Sequence, residues 1–123
     1  MHSLADIPTE HRIAVVRGFL DIFRTAYKYT AGDLELALII AAIRLGVLEE
    51  KPMDISAISV ITGIPRSTVQ RKIKDRRIPE ALQILQEGRR VLPVIPVVSP
   101  GWAHLAHGVM RTFIRVGKQL GLK

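Results

Sequence analysis

The chain contains no cysteine and only six aromatic residues among its 123 residues. Without cysteine there is neither a disulfide framework nor a thiolate metal site, and this composition fits the reducing cytoplasm. The first residues lack a basic start followed by an apolar run, so no signal peptide is predicted. The most apolar stretch, Leu34–Leu48, is interrupted by Glu35 and Arg44 and is too short to span a bilayer. A single cytoplasmic domain over residues 1–123, with no membrane partner, is expected.

Acidic residues are absent after Glu87, so the basic charge is unevenly distributed. Residues 1–65 carry six Lys/Arg and eight Asp/Glu, whereas residues 66–90 carry eight and three, and residues 91–123 carry four and none. The net charge of +7 therefore accumulates from residue 66 onward. A polyanion such as nucleic acid is the partner that this distribution favours, against the alternative of an ordinary basic surface.

Residues 54–73 read as two short helices joined by a tight turn, with Asp54 as the expected cap of the first. Gly63 can adopt the positive φ that a sharp helix–helix turn needs. Pro65 fits the first position of the second helix, where its missing N–H costs nothing. Val69 and Ile73 lie four residues apart and are expected to anchor that helix to the core.

The other face of the second motif helix is polar and basic. Ser67, Arg71 and Lys74 point away from the predicted anchors, with Thr68 and Gln70 at the flanks. A helix that is anchored on one side and presents hydroxyls, an amide and cations on the other is suited to a DNA major groove.

The segment GIPRSTVQRKI resembles the turn and recognition helix of winged helix-turn-helix regulators of the MarR and IclR types. The pattern of these families is roughly Gly-apolar-x-Arg-Ser-Thr-Val-x-Arg, which is matched here by Gly63, Ile64, Arg66, Ser67, Thr68, Val69 and Arg71. Lys72 departs from it, since these families usually have an apolar residue there. Either Ile73 anchors the helix without that help, or the helix is slightly rotated.

A β-hairpin is predicted after the motif, with strands at 82–86 and 91–94 and Gly88 in the turn. Pro93 and Pro96 make the second strand a short edge strand. Pro79 is expected to end the recognition helix by about residue 78. A rival interpretation extends a helix through EALQILQ, because these residues are good helix formers, and would remove the hairpin.

In the families that the motif resembles, such a hairpin is the wing that lies along the DNA backbone. The resemblance therefore implies that Arg89 and Arg90, at the hairpin tip, contact DNA; a solvated tip is the alternative. Gln70 and Arg71 are predicted to read bases, and Ser67 and Thr68 to reach bases or phosphates. The predicted phosphate contacts are Arg66, Lys74, Arg89 and Arg90.

A central helix is predicted over Leu34–Leu48, with Asp33 as its N-cap and Gly46 near its end. It is apolar almost all round and is expected to be buried on most sides. Amphipathic helices are predicted on either side of the motif, at 9–31, with Thr9 as N-cap, and at 101–121. The second of these has apolar residues at helical spacing: Trp102, Leu105, Val109, Phe113, Val116 and Leu120.

The helix at 9–31 carries two apolar stripes. They are Ile13, Val16, Leu20, Phe23 and Tyr27, and beside them Val15, Phe19, Ile22 and Ala26. One stripe is expected to cover the core and the other a partner subunit, with a single wide core-facing stripe as the alternative. In MarR-type proteins the first and last helices interlock between two subunits. The resemblance therefore implies a homodimer, with dimerisation helices at 9–31 and 101–121 around a core at 33–98.

No catalytic residue, metal site or cofactor is predicted, and no enzymatic activity is expected. His104 and His107 lie three residues apart and could present two imidazoles to a metal. A third ligand would have to come from His2 or His11, so exposed or interfacial histidines are favoured. There is no Gly-rich phosphate loop and no locally spaced Ser-His-acid set.

The sequence thus predicts a mainly α fold with a small β-hairpin, a winged helix-turn-helix with N- and C-terminal dimerisation helices. The expected function is sequence-specific binding of double-stranded DNA as a dimeric prokaryotic transcription regulator. A protein-interaction module and a non-specific nucleic-acid binder are the alternatives. A small-molecule effector stays open as a partner, since in MarR-type proteins effectors bind between the dimer helices and the DNA-binding lobe. Here that crevice would involve Phe19, Phe23 and Trp102.

Overall fold

The computed structural model describes residues 7–75, 82–95 and 100–122, with side chains in the last range from residue 103. Within these ranges the chain forms five helices and one antiparallel hairpin, which confirms a mainly α fold with a small β-hairpin. The elements are α1 (Thr9–Tyr29), α2 (Leu34–Leu48), α3 (Ile55–Thr62), α4 (Arg66–Lys74), β1 (Gln83–Glu87), β2 (Arg90–Val94) and α5 (Pro100–Gln119).

Helix α2 is the centre of the hydrophobic core, as its sequence predicts. Its buried side chains meet those of α3, the turn, α4 and the segment after β2 in one cluster: Leu36, Ile39, Ile40, Ala42, Ile43, Ile58, Ile64, Val69, Ile73 and Ile95. Burying each large aliphatic side chain of this kind stabilises the fold by about 1.5–3 kcal/mol. The motif helices are therefore held by the core rather than by their own propensity, since helices this short are marginal alone.

One expectation about a helix end is wrong by one residue. Thr9 is the first residue of α1 rather than its N-cap, because Pro8 occupies the cap position and no side chain caps the helix. Helix α2 spans Leu34–Leu48, as predicted, with Gly46 inside its last turn rather than at its end. The chain then reverses at Glu50, which has a φ of 58°, and the Lys51 N–H donates to the Gly46 carbonyl at 2.8 Å. This bond pattern closes a helix C-terminus without a glycine at the left-handed position.

Gly46 instead allows α2 to approach the segment that enters α3. A Cβ atom at this position would lie 3.0 Å from the Lys51 carbonyl oxygen and 3.1 Å from the Met53 backbone nitrogen. We expect Gly46→Ala to lower the free energy of unfolding in urea. Overpacking costs about 1–3 kcal/mol, and the better helix propensity of alanine offsets up to about 1 kcal/mol of it.

Gly108→Ala is the matched control for this prediction. Gly108 lies inside α5, and a Cβ atom there would meet only the Thr25 Cγ2 atom, at 3.8 Å. We expect this variant to gain about 0.5–1 kcal/mol from helix propensity. A similar gain in Gly46→Ala would contradict the close approach of residues 51–53 to α2.

Helices α1 and α5 pack against each other through small residues. A Cβ atom on Gly18 would lie 2.5 Å from Val116 Cγ2, and Ala14 and Thr112 are buried beside it. Across the same contact Asp21 accepts a hydrogen bond from Arg115, and within α1 it accepts one from Arg24. The face of α1 that meets its neighbour is thus built from Ala14 and Gly18, on the side of the helix away from the first predicted stripe.

The prediction that one large apolar stripe of α1 covers the core is wrong. Every member of the first stripe is exposed, as are Val15 and Phe19 of the second, whereas Ile22 and Ala26 are half-buried. The reason is geometric, because glycine and alanine let two helix backbones approach more closely than large side chains would. Much of the apolar surface of α1 consequently faces outward in the single chain.

The ion pair between Asp21 and Arg115 gives α1 and α5 a pH-dependent contact. The hydrogen bond from Arg115, helped by the charges of Arg115, Arg24 and Arg17, lowers the pKa of Asp21 below its ordinary value of 3.8. A lowered folded-state pKa stabilises the fold above the unfolded pKa, and this contribution is lost as the pH falls through the folded value.

We therefore expect Asp21→Asn to flatten the loss of stability below about pH 4. Urea unfolding of both proteins between about pH 5 and pH 2 measures this difference. An identical pH dependence in the variant and the parent protein would show that the ion pair contributes nothing to folding.

Candidate nucleic-acid interface

The turn between α3 and α4 has the geometry that the motif predicts. Gly63 adopts a φ of 75°, in the left-handed region, and its N–H donates to the Ser59 carbonyl at 2.9 Å. The Ser59 hydroxyl donates to the Ile64 carbonyl at 2.6 Å, and the Ile64 N–H donates to the Thr62 hydroxyl at 3.2 Å. These bonds tie the end of α3 to the residues that lead into α4, and they give the Gly63 and Ile64 N–H groups and the Ile64 carbonyl a partner.

Helix α4 begins at Arg66, one residue later than expected. Pro65 takes the cap position, with a φ of −56° and a ψ of 143°, and its carbonyl accepts the N–H groups of Thr68 and Val69. The helix ends at Lys74, before the predicted limit near residue 78; Pro79 lies outside the described residues.

The two faces of α4 are divided as the sequence predicts. Val69 and Ile73 are both buried in the core, which confirms them as the anchors. Of the other side chains, Arg66, Ser67, Gln70, Arg71 and Lys74 are exposed and Thr68 is half-buried, with Ser67, Arg71 and Lys74 opposite the anchors. A helix of nine residues is about 13.5 Å long, which suits a major groove about 12 Å wide.

Lys72 departs from the family pattern, and an ion pair explains how a lysine fits at this position. Its Nζ atom lies 2.5 Å from Asp33 Oδ2 and 3.7 Å from Glu35 Oε1, and its side chain is only 16% exposed. The helix is therefore not rotated, since Val69, Ile73 and Lys72 all face the protein.

The hairpin after the motif is present, and the helical alternative is wrong for residues 83–86. Its strands are antiparallel, with Gln83 opposite Val94 and Glu87 opposite Arg90. Gly88, at a φ of 61°, and Arg89 form the two-residue turn. Both strands are shifted from the predicted limits, so Arg90 belongs to β2 rather than to the turn. Pro96 lies outside the described residues.

Arg90 is held against the start of α3. Its Nε atom donates to Asp54 Oδ2 at 3.2 Å, and the Ala57 N–H donates to Asp54 Oδ1 at 2.8 Å. The hydrogen bond from Ala57 and the contact with Arg90 lower the pKa of Asp54 below 3.8, and the charge of Arg66 acts in the same direction. Asp54 is therefore a carboxylate at neutral pH and is engaged through both oxygens.

A polar cleft of about 320 Å³ lies between α4 and the hairpin. The residues predicted to bind DNA that line it are Arg66 and Gln70 from α4 and Arg89 and Arg90 from the hairpin. Ser67, Thr68 and Lys74 lie outside this cleft, and Arg71 lines a neighbouring one beside Lys72 and Asp75. Three arginines face one carboxylate, Asp54, so the cleft retains a positive charge that suits an anionic group.

A second, apolar groove of about 390 Å³ lies between α1, α2 and α5. Phe23 lines it, as predicted for the crevice of an effector, together with Leu38, Val109 and Phe113. Phe19 instead packs edge-on against Phe23, with ring centroids 4.4 Å apart, and does not line the groove. The side chain of Trp102 lies outside the described residues.

Comparison with known proteins adds no relative. No protein family, no curated protein and no solved structure matches the chain. Over the described ranges, no helix combines the length and apolar character needed to cross a membrane. Likewise, the described side chains include no group of three histidine or carboxylate residues placed to hold a metal ion.

Sequence reasoning missed the partners of two basic residues in this region. The sequence marks Lys72 only as a departure from the family pattern, and it predicts a phosphate contact for Arg90. Both Asp33 and Asp54 were expected as helix caps, and these caps are confirmed by N–H donors from Leu36 at 2.9 Å and Ala57 at 2.8 Å. A sequence signal for these ion pairs does exist. An aspartate that caps a helix uses one carboxylate oxygen for the backbone N–H, and its second oxygen can accept a hydrogen bond from a cation.

Proposed function

We propose that this protein binds specific sequences of double-stranded DNA as a dimeric prokaryotic transcription regulator of the winged helix-turn-helix type. The observation that carries the proposal is the shared cleft, which Arg66 and Gln70 of α4 line together with Arg89 of the hairpin. A helix with its polar face outward and a basic hairpin tip beside it form one continuous surface. In this arrangement α4 enters the major groove and the hairpin follows the backbone.

The proposed contacts follow from the chemistry of each exposed side chain. Arg71 and Gln70 have the paired donors and acceptors that recognise the edges of guanine and adenine. Ser67 and Thr68 reach bases or phosphates at the edge of the groove. Arg66, Lys74 and Arg89 neutralise phosphates, so we expect a contribution to the affinity that depends on salt and does not depend on sequence.

The proposed dimer is supported by the apolar surface that α1 leaves uncovered. Ile13, Val16, Phe19 and Leu20 are each about half exposed or more in the single chain. Met110, Phe113 and Ile114 on α5 are exposed to a similar degree. Soluble monomers rarely expose large apolar patches, so a second copy that covers these side chains is the partner we propose.

Selection of bound duplexes from a random pool, at near-physiological salt, tests the proposal directly. We expect the enriched sequences to contain two inverted half-sites about 34 Å apart along the duplex, since two-fold symmetry places the recognition helices in successive major grooves. Salt-dependent binding without enrichment would indicate a non-specific nucleic-acid binder. Absence of duplex binding, together with capture of an acidic protein, would indicate an interaction module.

A further inference from the structure

Asp33 and Asp54 share an arrangement in which one carboxylate oxygen caps a helix and the other holds a cation. Asp33 accepts the Leu36 N–H at 2.9 Å through Oδ1 and pairs with Lys72 Nζ through Oδ2. Asp54 accepts the Ala57 N–H at 2.8 Å through Oδ1 and Arg90 Nε at 3.2 Å through Oδ2. Each carboxylate therefore joins the start of a core helix to an element of the proposed DNA-facing surface.

The cap gives these ion pairs a defined direction. Because a backbone N–H holds one oxygen, the plane of the carboxylate is fixed, and the second oxygen points in one direction. Lys72 on α4 is thereby tied to the start of α2, and Arg90 on β2 to the start of α3, across 39 and 36 residues of sequence. Both helices that carry the caps supply buried residues to the core, so the core sets the position of the cations.

We propose that Asp33 and Asp54 are positioning residues, which orient the recognition helix and the hairpin for a common DNA duplex. Asp33 acts through Lys72, and Asp54 acts through Arg90. The inference rests on the proposed function, and it changes the role of one predicted contact. Arg90 holds the hairpin in place, whereas Arg89 and Arg66 meet the phosphates.

The side chains fit this division of roles. Lys72 is 16% exposed and faces two acidic groups at the start of α2, so it is poorly placed for a phosphate. Arg89 lies in the hairpin turn, is exposed and lines the cleft. The Asp54–Arg90 pair is 28% and 52% exposed, and pairs of this kind contribute little to global stability, so the expected effect of breaking it is on orientation rather than on folding.

Asparagine is the variant that separates the cap from the ion pair. It caps helices about as well as aspartate, but its second polar atom is an amide that cannot accept from Arg90. Asp54→Asn should therefore keep α3 intact and release the hairpin. We expect about a tenfold fall in the ratio of affinities for a selected duplex and a scrambled one. Binding to the scrambled duplex should strengthen, because a negative charge near the phosphates is removed.

Arg90→Gln and Arg89→Gln form the matched pair that tests the division of roles. For Arg89→Gln we expect the slope of log affinity against log salt to fall in magnitude by about one, with an unchanged affinity ratio. For Arg90→Gln we expect the ratio to fall as in Asp54→Asn, with little change in the slope. The double variant Asp54→Asn/Arg90→Gln should be no worse than either single variant. Equal losses of slope in the two arginine variants would overturn the proposal.

Asp33→Asn and Lys72→Met make the corresponding pair on the recognition helix. We expect both to lower the affinity ratio while the salt slope stays unchanged, because Lys72 does not meet phosphate. A reduced slope in Lys72→Met would assign this lysine to the DNA backbone and overturn its role in positioning α4.

Amide hydrogen exchange of the free protein distinguishes failure of this inference from failure of the proposed function. In Asp54→Asn we expect faster exchange in β1 and β2, with unchanged exchange in α2. Unchanged exchange in the hairpin would overturn the inference even if the protein binds DNA. Absence of any salt-dependent duplex binding by the parent protein would instead overturn the proposed function, and with it the role of these residues in DNA binding.

Discussion

Arg71→Ala is expected to weaken binding to a selected duplex by about 1–3 kcal/mol, roughly 5- to 150-fold, and to relax the preference at one base pair of each half-site. Arg71 is exposed on the face of α4 opposite Val69 and Ile73, and it lies outside the cleft that we assign to phosphate. Its guanidinium can therefore meet base edges with two parallel hydrogen bonds, which alanine removes. Titrations against the selected duplex and its single-base variants measure both effects.

Arg89→Ala is the control for this prediction. Arg89 lies in the hairpin turn and lines the polar cleft, so its loss should weaken all duplexes by a similar factor and reduce the salt dependence. Equal losses of specificity in the two variants, without any effect of salt, would contradict the assignment of α4 to the major groove.

Leu20→Glu is expected to convert the proposed dimer into a folded monomer and to lower the affinity for a two-half-site duplex by about 100-fold or more. Leu20 is 63% exposed on α1, so a carboxylate there stays in water in the single chain but would be buried in a dimer interface. Leucine and glutamate have similar helix propensities, and helix content should be unchanged. Sedimentation equilibrium measures the mass, and a duplex titration measures the affinity.

Leu48→Glu is the matched control, because Leu48 is 55% exposed and lies at the C-terminal end of α2 rather than on α1 or α5. We expect it to leave the mass and the DNA affinity unchanged. A parent protein that sediments as a monomer would contradict the proposed dimer, and so would a Leu20→Glu variant with unchanged mass.

The local features of the fold were predictable because neighbouring residues determine them. Gly63 takes a positive φ since the turn requires it, and Asp33 and Asp54 cap helices because each lies three residues before the N–H that it accepts. The buried face of α4 follows from the spacing of Val69 and Ile73. The hairpin was likewise located from Gly88 between two apolar segments, with its strand limits wrong by one residue.

The tertiary structure decided which faces and which charges meet. Helical periodicity identified the apolar stripes of α1, but the close approach of α5 depends on Gly18 and Val116, which are far apart in the sequence. In the same way, no spacing rule connects Asp33 to Lys72 or Asp54 to Arg90, because packing of the core helices brings these groups together. Sequence by itself determined the caps of α2 and α3, the turn and the core-facing anchors of α4. Only the folded chain determined which cations hold these elements in place and which remain exposed.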